Sequence, residues 1–248
     1  MRIRLADYVA DFLVSHGVTD VFSVVGGGAM HLNDALGHNE GLKVTYNHHE
    51  QACTIAAEGY TRQTGKIAPV CVTGGPGGTN AITGVFGAYV DSIPMFVVTG
   101  QAKRETTVWS TNLPLRQLGD QEVNITSAVS TMTKYAKMIT DPMSIRKEVE
   151  KAWFLMLNGR PGPVWLDIPG DVASTFIETD DLEGFDKQGY IDEHWASFNQ
   201  DNPVYDEQYT KDVLAKIKEA KRPVILAGTA IRHAGQPVSY THLTLPTT

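Results

Sequence analysis

Apolar segments that run directly into glycine constrain the fold of this chain most. Residues 21–25, 69–73 and 94–99 are rich in apolar and β-branched side chains, and each segment is followed at once by glycine. Strands of such uniform apolar character are usually buried on both faces, as in a parallel sheet that helices cover. The sequence therefore predicts an α/β fold, a doubly wound and mostly parallel sheet with helices on both faces.

Helical spacing of apolar residues fills the intervals between these strands. It predicts helices near residues 5–13, 29–36, 50–64, 79–90 and 141–157, and further strands near residues 43–47 and 164–168. Gly17 and Gly65 stand where left-handed helix ends are expected. Residues 101–121 are polar and irregular, so we interpret them as a long functional loop.

The pattern also predicts how the chain is divided. Residues 1–170 are expected to form the first domain, and residues 171–203, rich in Asp, Glu and Gly, to form a linker. Residues 204–236 are expected to begin a truncated second α/β domain, with a helix at 207–220 and a strand at 223–226. Residues 237–248 have neither a helical face nor a glycine turn, so we interpret them as a non-native tail.

Composition excludes several classes of protein. The 248 residues are 42% hydrophobic and 20% charged, which is typical of soluble globular chains. No apolar run approaches the roughly 20 residues that span a bilayer. The first twelve residues include acidic side chains where a secretion signal would have a long apolar stretch, so we predict a cytoplasmic protein. A net charge of −7 without a basic run argues against nucleic acid as a partner, and the lack of a long apolar run argues against a membrane.

Two segments carry candidate chemistry. Glu50 follows Asn47-His48-His49 at a strand end and opens a helix, and residues 72–80, with the sequence VTGGPGGTN, follow the next strand. Ligands of open α/β sheets bind at the carboxyl ends of strands, and glycines let a flat ligand approach the backbone. Taken alone, Glu50 also fits a carboxylate that complements a helix N-terminus, and the glycines also fit a plain tight turn. The adjacent histidines point to opposite faces, so we predict no metal site here.

The order of motifs resembles a known family. Residues 48–65 read HHEQACTIAAEGYTRQTG, residues 72–101 read VTGGPGGTNAITGVFGAYVDSIPMFVVTGQ, and residues 159–172 read GRPGPVWLDIPGDV. These segments resemble the pyrimidine-binding domain of thiamine-diphosphate enzymes of the acetolactate synthase, pyruvate oxidase and pyruvate decarboxylase family. The resemblance covers residues 3–172 almost continuously and extends more weakly to about residue 236.

The resemblance implies roles for particular residues. Glu50 matches the glutamate that contacts N1′ of the cofactor's aminopyrimidine ring and shares a proton with it, and Gln121 matches a glutamine directed toward the substrate. These two are the expected catalytic residues. Together with Glu50, the expected cofactor-binding residues are Gly26, Gly27, Thr73, Gly74, Pro76, Gly77 and Asn80.

The resemblance also implies an activity: decarboxylation of a 2-oxo acid such as pyruvate, followed by transfer of the two-carbon unit to an acceptor. It implies a homodimer or homotetramer, with Mg²⁺ and the cofactor diphosphate held by a further domain that has a Gly-Asp-Gly motif. Because this sequence lacks that domain, we expect the chain alone to be an inactive part of a lyase or transferase. Whether FAD binds is left undecided.

Alternatives remain at this point. The chain also fits a stand-alone pyrimidine-binding or dimerisation module that needs a partner chain, whereas a dehydrogenase-like nucleotide binder is disfavoured by the lack of GxGxxG. Val25 stands where many relatives have proline, and residues 109–124 lack a phenylalanine common in acetolactate synthases. These departures leave the substrates open and keep a specialised decarboxylase or carboligase in view.

Overall fold

The computed structural model describes residues 1–194, 206–224, 226 and 228. The chain divides into two compact units, Met1–Asn202 and Pro203–Thr248. The domain boundaries inferred from the sequence stay a prediction.

The first unit alternates strands and helices along most of its length. Its first half contains β1 (Arg2–Arg4), α1 (Leu5–Ser15), β2 (Asp20–Ser23), α2 (Met30–His38), β3 (Lys43–Tyr46), α3 (Glu50–Thr64), β4 (Val70–Val72), α4 (Pro76–Val90) and β5 (Met95–Gln101). Its second half contains α5 (Ile125–Val129), β6 (Tyr135–Met138), α6 (Ile145–Leu157), β7 (Pro163–Pro169), α7 (Gly170–Ala173), β8 (Phe176–Glu178) and α8 (Lys187–Glu193). Short 3₁₀ turns occupy Gly27–Ala29, Arg104–Thr106, Val108–Ser110, Pro142–Ser144 and Thr179–Asp181.

Six strands form one parallel sheet in the order β3-β2-β4-β5-β7-β6. This order confirms the prediction of a doubly wound, mostly parallel sheet. After β2 the chain crosses to β3 on one side, and it then returns to β4 on the other side of β2. The loops that follow β2 and β4 therefore lead away from each other at the carboxyl ends of these two strands. In α/β sheets, such a point is where a ligand crevice forms.

Two hydrophobic cores flank the sheet. Phe96 and Val98 of β5 face the core made with α1, α2 and α6, whereas Met95 and Val97 face the core made with α3, α4 and α5. The fully buried Trp165 of β7 belongs to the second core. Because β5 is buried on both faces, its continuous apolar run marks the centre of the sheet.

Most predicted elements are present, with shifts of a few residues at their ends. Gly17 and Gly65 have φ values of +81° and +71°, so both stand in the left-handed conformation expected after a helix. The sequence pattern did not predict β1, α5, β6, α7, β8 or α8. The second unit contains α9 (Glu207–Glu219), as predicted, but positions 223, 224 and 226 are not in a strand. No helix in the described part of the chain is long and apolar enough to cross a membrane.

Part of the predicted linker packs onto the first unit instead. Within residues 171–203, β8 pairs antiparallel with β1, and Ile177 lies opposite Ile3. Ile177 and Leu182 are only 3% and 4% exposed and belong to the core with α1 and α2. Residues through Leu182, which the sequence pattern assigned to a linker, thus contribute to the core of the first unit, and the domain boundaries stay a prediction. The few apolar residues of this acidic segment give no periodic signal, so the sequence pattern does not predict this packing.

Replacing Ile177 by alanine tests this packing. The change deletes buried methyl groups from a closed core, so we expect the free energy of unfolding to fall by about 2–5 kcal/mol. Phe176→Ala is the matched control, because Phe176 is the preceding residue of β8 and is 60% exposed, with the guanidinium of Arg2 over its ring; its effect should stay within about 1 kcal/mol. Urea denaturation measures both variants, and equal stability of the two would contradict the packing.

Candidate functional site

Glu50 opens α3 at the carboxyl end of β3. The preceding residue, His49, is extended at φ −154° and ψ 139°, and its Nδ1 accepts a hydrogen bond of 3.1 Å from the backbone N–H of Gln51. His49 is thus the N-cap, which starts the helix one residue later. Glu50 is half-buried in the first turn, where the helix dipole favours a negative charge.

The carboxylate of Glu50 faces the beginning of α4. Its Oε2 accepts a hydrogen bond of 3.0 Å from Nδ2 of Asn80, one turn into α4. A Cβ atom on Gly77 would lie 3.5 Å from Oε1, so the bare glycine backbone lies beside the other carboxylate oxygen. The structure therefore brings Glu50, Gly77 and Asn80 together.

Thr73 joins the loops that follow β2 and β4. Its Oγ1 accepts a hydrogen bond of 3.1 Å from the backbone N–H of Gly28. A Cβ on Gly26 would lie 2.5 Å from Cβ of Thr73, and one on Gly77 would lie 2.8 Å from its Cγ2. Only glycine fits at these two positions. Gly27 differs, because it is exposed and no described atom lies within 4 Å of the place of its Cβ.

Gly26, Gly74, Gly75 and Gly77 form a surface of bare backbone that we call the glycine wall, and Gly74 and Gly75 extend it toward Gln121. A Cβ on Gly74 would lie 2.7 Å from the carbonyl oxygen of Gly100. Gly75 is the N-cap of α4 at φ +61° and ψ −124°, a conformation that favours glycine, and Pro76 is the first helical residue. A Cβ on Gly75 would overlap the carbonyl oxygen of Gln121, which itself has a positive φ of +55°. The backbone of Gln121 thus lies on Gly75, while its side chain is exposed.

A buried polar network behind this wall was not found from the sequence. Nε1 of Trp165 donates to Thr99 Oγ1 at 2.8 Å, and that hydroxyl donates to Asp167 Oδ1 at 2.7 Å. Gln101 Nε2 donates to Asp167 Oδ2 at 3.0 Å. Burial raises the pKa of Asp167 to about 7, although both hydrogen bonds act to lower the pKa. The available signal was a lone acidic residue inside the apolar strand β7.

Within the described residues, no group of three or more His, Cys, Asp or Glu side chains is placed to hold a metal ion. His48 and His49 are both exposed. That the Mg²⁺ ligands lie outside this chain stays a prediction.

Comparison with known proteins identifies the family of this chain. Residues 3–128 match the family described as "Thiamine pyrophosphate enzyme, N-terminal TPP binding domain". The chain belongs to the thiamine pyrophosphate enzyme family. The fold and the family inferred from the motifs are thereby confirmed.

The relatives of this chain include proteins named acetolactate synthase. It is 34% identical over 219 residues to the acetolactate synthase large subunit of Lactococcus lactis, which covers 88% of this chain and 35% of that protein. It is 31% identical over 226 residues to acetolactate synthase 2, chloroplastic, of Nicotiana tabacum, with 90% of this chain and 31% of the relative covered. The large subunit of Buchnera aphidicola is 34% identical over 229 residues. The chain spans about a third of the length of these relatives.

Proposed function

We propose that this chain is the cofactor-activating N-terminal part of a thiamine-diphosphate-dependent 2-oxo acid decarboxylase and carboligase. The observation that carries the proposal is the carboxylate of Glu50, held by Asn80 beside Gly77 at the point where β2 and β4 diverge. A fixed carboxylate next to bare backbone suits a flat heterocycle with a ring nitrogen.

The residues around Glu50 fit the aminopyrimidine ring of thiamine diphosphate. Asn80 donates to Oε2 and so fixes the plane of the carboxyl group, which leaves Oε1 for the proton shared with N1′. A Cβ atom at positions 26, 74 or 77 would lie within 2.8 Å of a neighbouring atom. Glycine at these positions therefore leaves the backbone bare, so that a flat ring can approach it closely. The proposed pocket consists of Gly26, Gly27, Glu50, Thr73, Gly74, Pro76, Gly77 and Asn80.

When bound, thiamine diphosphate supplies the carbon nucleophile and the electron sink that decarboxylation needs. The chain contributes a proton relay at Glu50 and a rigid wall that orients the ring. Gln121 lies on the substrate side of this wall in the proposal, because its backbone lies on Gly75.

The finer assignments belong to the same proposal. The substrate class is a 2-oxo acid such as pyruvate, and the enzyme is a cytoplasmic lyase or transferase that acts as a homodimer or homotetramer. Mg²⁺ and the diphosphate are held by a domain outside this chain. The similarity to proteins named acetolactate synthase supports this assignment. FAD stays open.

An assay of carbon dioxide release tests the proposed function. A full-length enzyme that carries this chain should release CO₂ from pyruvate only when thiamine diphosphate and Mg²⁺ are both supplied, and the 248-residue chain alone should release none. If the chain becomes active only with a separate partner that bears the diphosphate-binding domain, the alternative interpretation, a stand-alone module that needs a partner chain, is correct instead. Release without the cofactor would reject both assignments.

A further inference from the structure

Gln101 lies where three loops of the proposed site meet. It is the last residue of β5 and is 4% exposed. A Cβ on Gly74 would lie 3.5 Å from its Oε1, and a Cβ on Gly28 would lie 3.7 Å from its backbone nitrogen. Gln101 therefore adjoins the loops after β2 and β4, and its side chain extends toward the third loop, which contains Gln121.

The amide of Gln101 has a partner at each polar atom. Nε2 donates to the carbonyl oxygen of Val123 at 3.0 Å and to Asp167 Oδ2 at 3.0 Å. Oε1 accepts from the backbone N–H of Ala102 at 3.0 Å. Val123 is two residues after Gln121, so this side chain ties the Gln121 loop to the central strand of the sheet.

Asp167 fixes the orientation of that amide. Both of its oxygens accept hydrogen bonds, from Thr99 and from Gln101, and the three residues are between 0% and 4% exposed. A reversed amide would point Oε1 at the carboxylate and at the carbonyl of Val123, and it would leave the N–H of Ala102 facing a donor. Only one orientation of Gln101 satisfies all of these groups.

At the start of the loop, Arg104 donates to the carboxylate of Asp171 and to the carbonyl oxygen of Thr140. Nearer to Gln121, the other hydrogen bonds hold the loop to itself. The Glu122 carboxylate accepts from the backbone N–H groups of Val108, Leu118 and Gly119 at 2.8–3.1 Å. These bonds give the loop its shape but connect it to no strand. The bond from Gln101 to Val123 supplies such a connection, next to the contact between Gly75 and Gln121.

We propose that Gln101 and Asp167 are positioning residues that hold the Gln121 loop against the glycine wall through the carbonyl of Val123. Neither residue is assigned contact with substrate or cofactor. The inference rests on the proposed function only for the catalytic role of Gln121, because the hydrogen bonds themselves belong to the chain without cofactor.

Amide hydrogen exchange in the 248-residue chain, without cofactor, tests the first step. Gln101→Met keeps the length of the side chain but removes the donor to Val123. We expect exchange of the backbone amides in residues 118–124 to rise about tenfold, in line with the loss of one buried hydrogen bond. Val149→Ala is the control, because Val149 is fully buried in the core on the other face of the sheet; it should lower global stability without selective exchange in the loop.

A double variant separates positioning from general packing. In Gln101→Glu with Asp167→Asn, the carboxylate and the amide exchange places, so a hydrogen bond between positions 101 and 167 forms again. The oxygen that replaces Nε2, however, faces the carbonyl of Val123 and repels it. We expect global stability above that of Gln101→Met, while exchange in residues 118–124 stays fast.

Two results would overturn the positioning role: wild-type exchange of the loop in Gln101→Met, or full loop protection in the double variant. Neither result bears on whether thiamine diphosphate binds. Failure of the carbon dioxide assay, in turn, would reject the proposed chemistry and leave the measured coupling between Gln101 and the loop intact.

Discussion

Replacing Glu50 by glutamine in a full-length enzyme that carries this chain should lower kcat by about 10²–10⁴-fold, the usual range for removing a general acid–base group. The amide has nearly the shape of the carboxyl group, and Asn80 can turn its own amide to keep the contact that Oε2 now makes. What is lost is the exchangeable proton. The steady-state rate of carbon dioxide release from pyruvate, at saturating thiamine diphosphate and Mg²⁺, measures the effect.

Glu58→Gln provides a matched control for this experiment. Glu58 lies two turns further along α3 and pairs with Arg62 at 2.6 Å, away from the glycine wall. Its replacement applies the same chemical change to the same helix and should leave kcat within about twofold, since partly exposed ion pairs contribute little. If both variants retain wild-type kcat, Glu50 does not activate the cofactor and the proposed role of this carboxylate is wrong.

The arrangement of strands and helices was largely predictable from local patterns. Continuous apolar runs mark strands buried on both faces, and glycine at the end of each run marks the turn into the next helix. The start of α4 was predicted three residues late, at Thr79 instead of Pro76. Gly77 and Gly78 are poor helix formers, but Gly78 packs against Ile125 and Gly77 against Thr73, so tertiary contacts impose the helix.

Features that depend on distant partners could not be predicted in this way. Strand β8 has three residues and is stabilised by pairing with β1, more than 170 residues earlier in the chain. Asp167 is a polar residue in an apolar strand, and its partners Thr99 and Gln101 lie on another strand. Sequence spacing carries no information on which side chains meet across a sheet, so both features required coordinates.

The candidate site also combines features that local sequence patterns predicted with features that depend on distant partners. The carboxyl ends of β3 and β4 were expected to direct Glu50 and the glycine run toward one space, and the structure does place Glu50 beside Gly77. The hydrogen bond from Asn80 to Glu50 depends on side-chain geometry and had no sequence signal. Gln121 was named by resemblance alone, and neither its positive φ nor its close approach to Gly75 has a sequence signal. The roles of these residues stay predictions.

Replacing Gly75 by alanine should destabilise the chain by about 3 kcal/mol, because a positive φ strains an L-residue and a close overlap adds to the strain. Gly75 has φ +61° and ψ −124°, and its new Cβ would overlap the carbonyl of Gln121. The Gln121 loop must therefore move away from the wall. Urea denaturation measures the loss of stability, and amide exchange over residues 118–124 measures the displacement.

Gly59→Ala is the control, and its expected effect has the opposite sign. Gly59 lies inside α3, and no described atom stands within 4 Å of the place its Cβ would take. Alanine in an exposed helix interior should stabilise the chain by about 0.5–1 kcal/mol. If Gly75→Ala were also neutral or stabilising, the close contact between Gly75 and Gln121 would not exist in solution. The loop would then be free of the wall, and the placement of Gln121 beside the proposed pocket would fail with it.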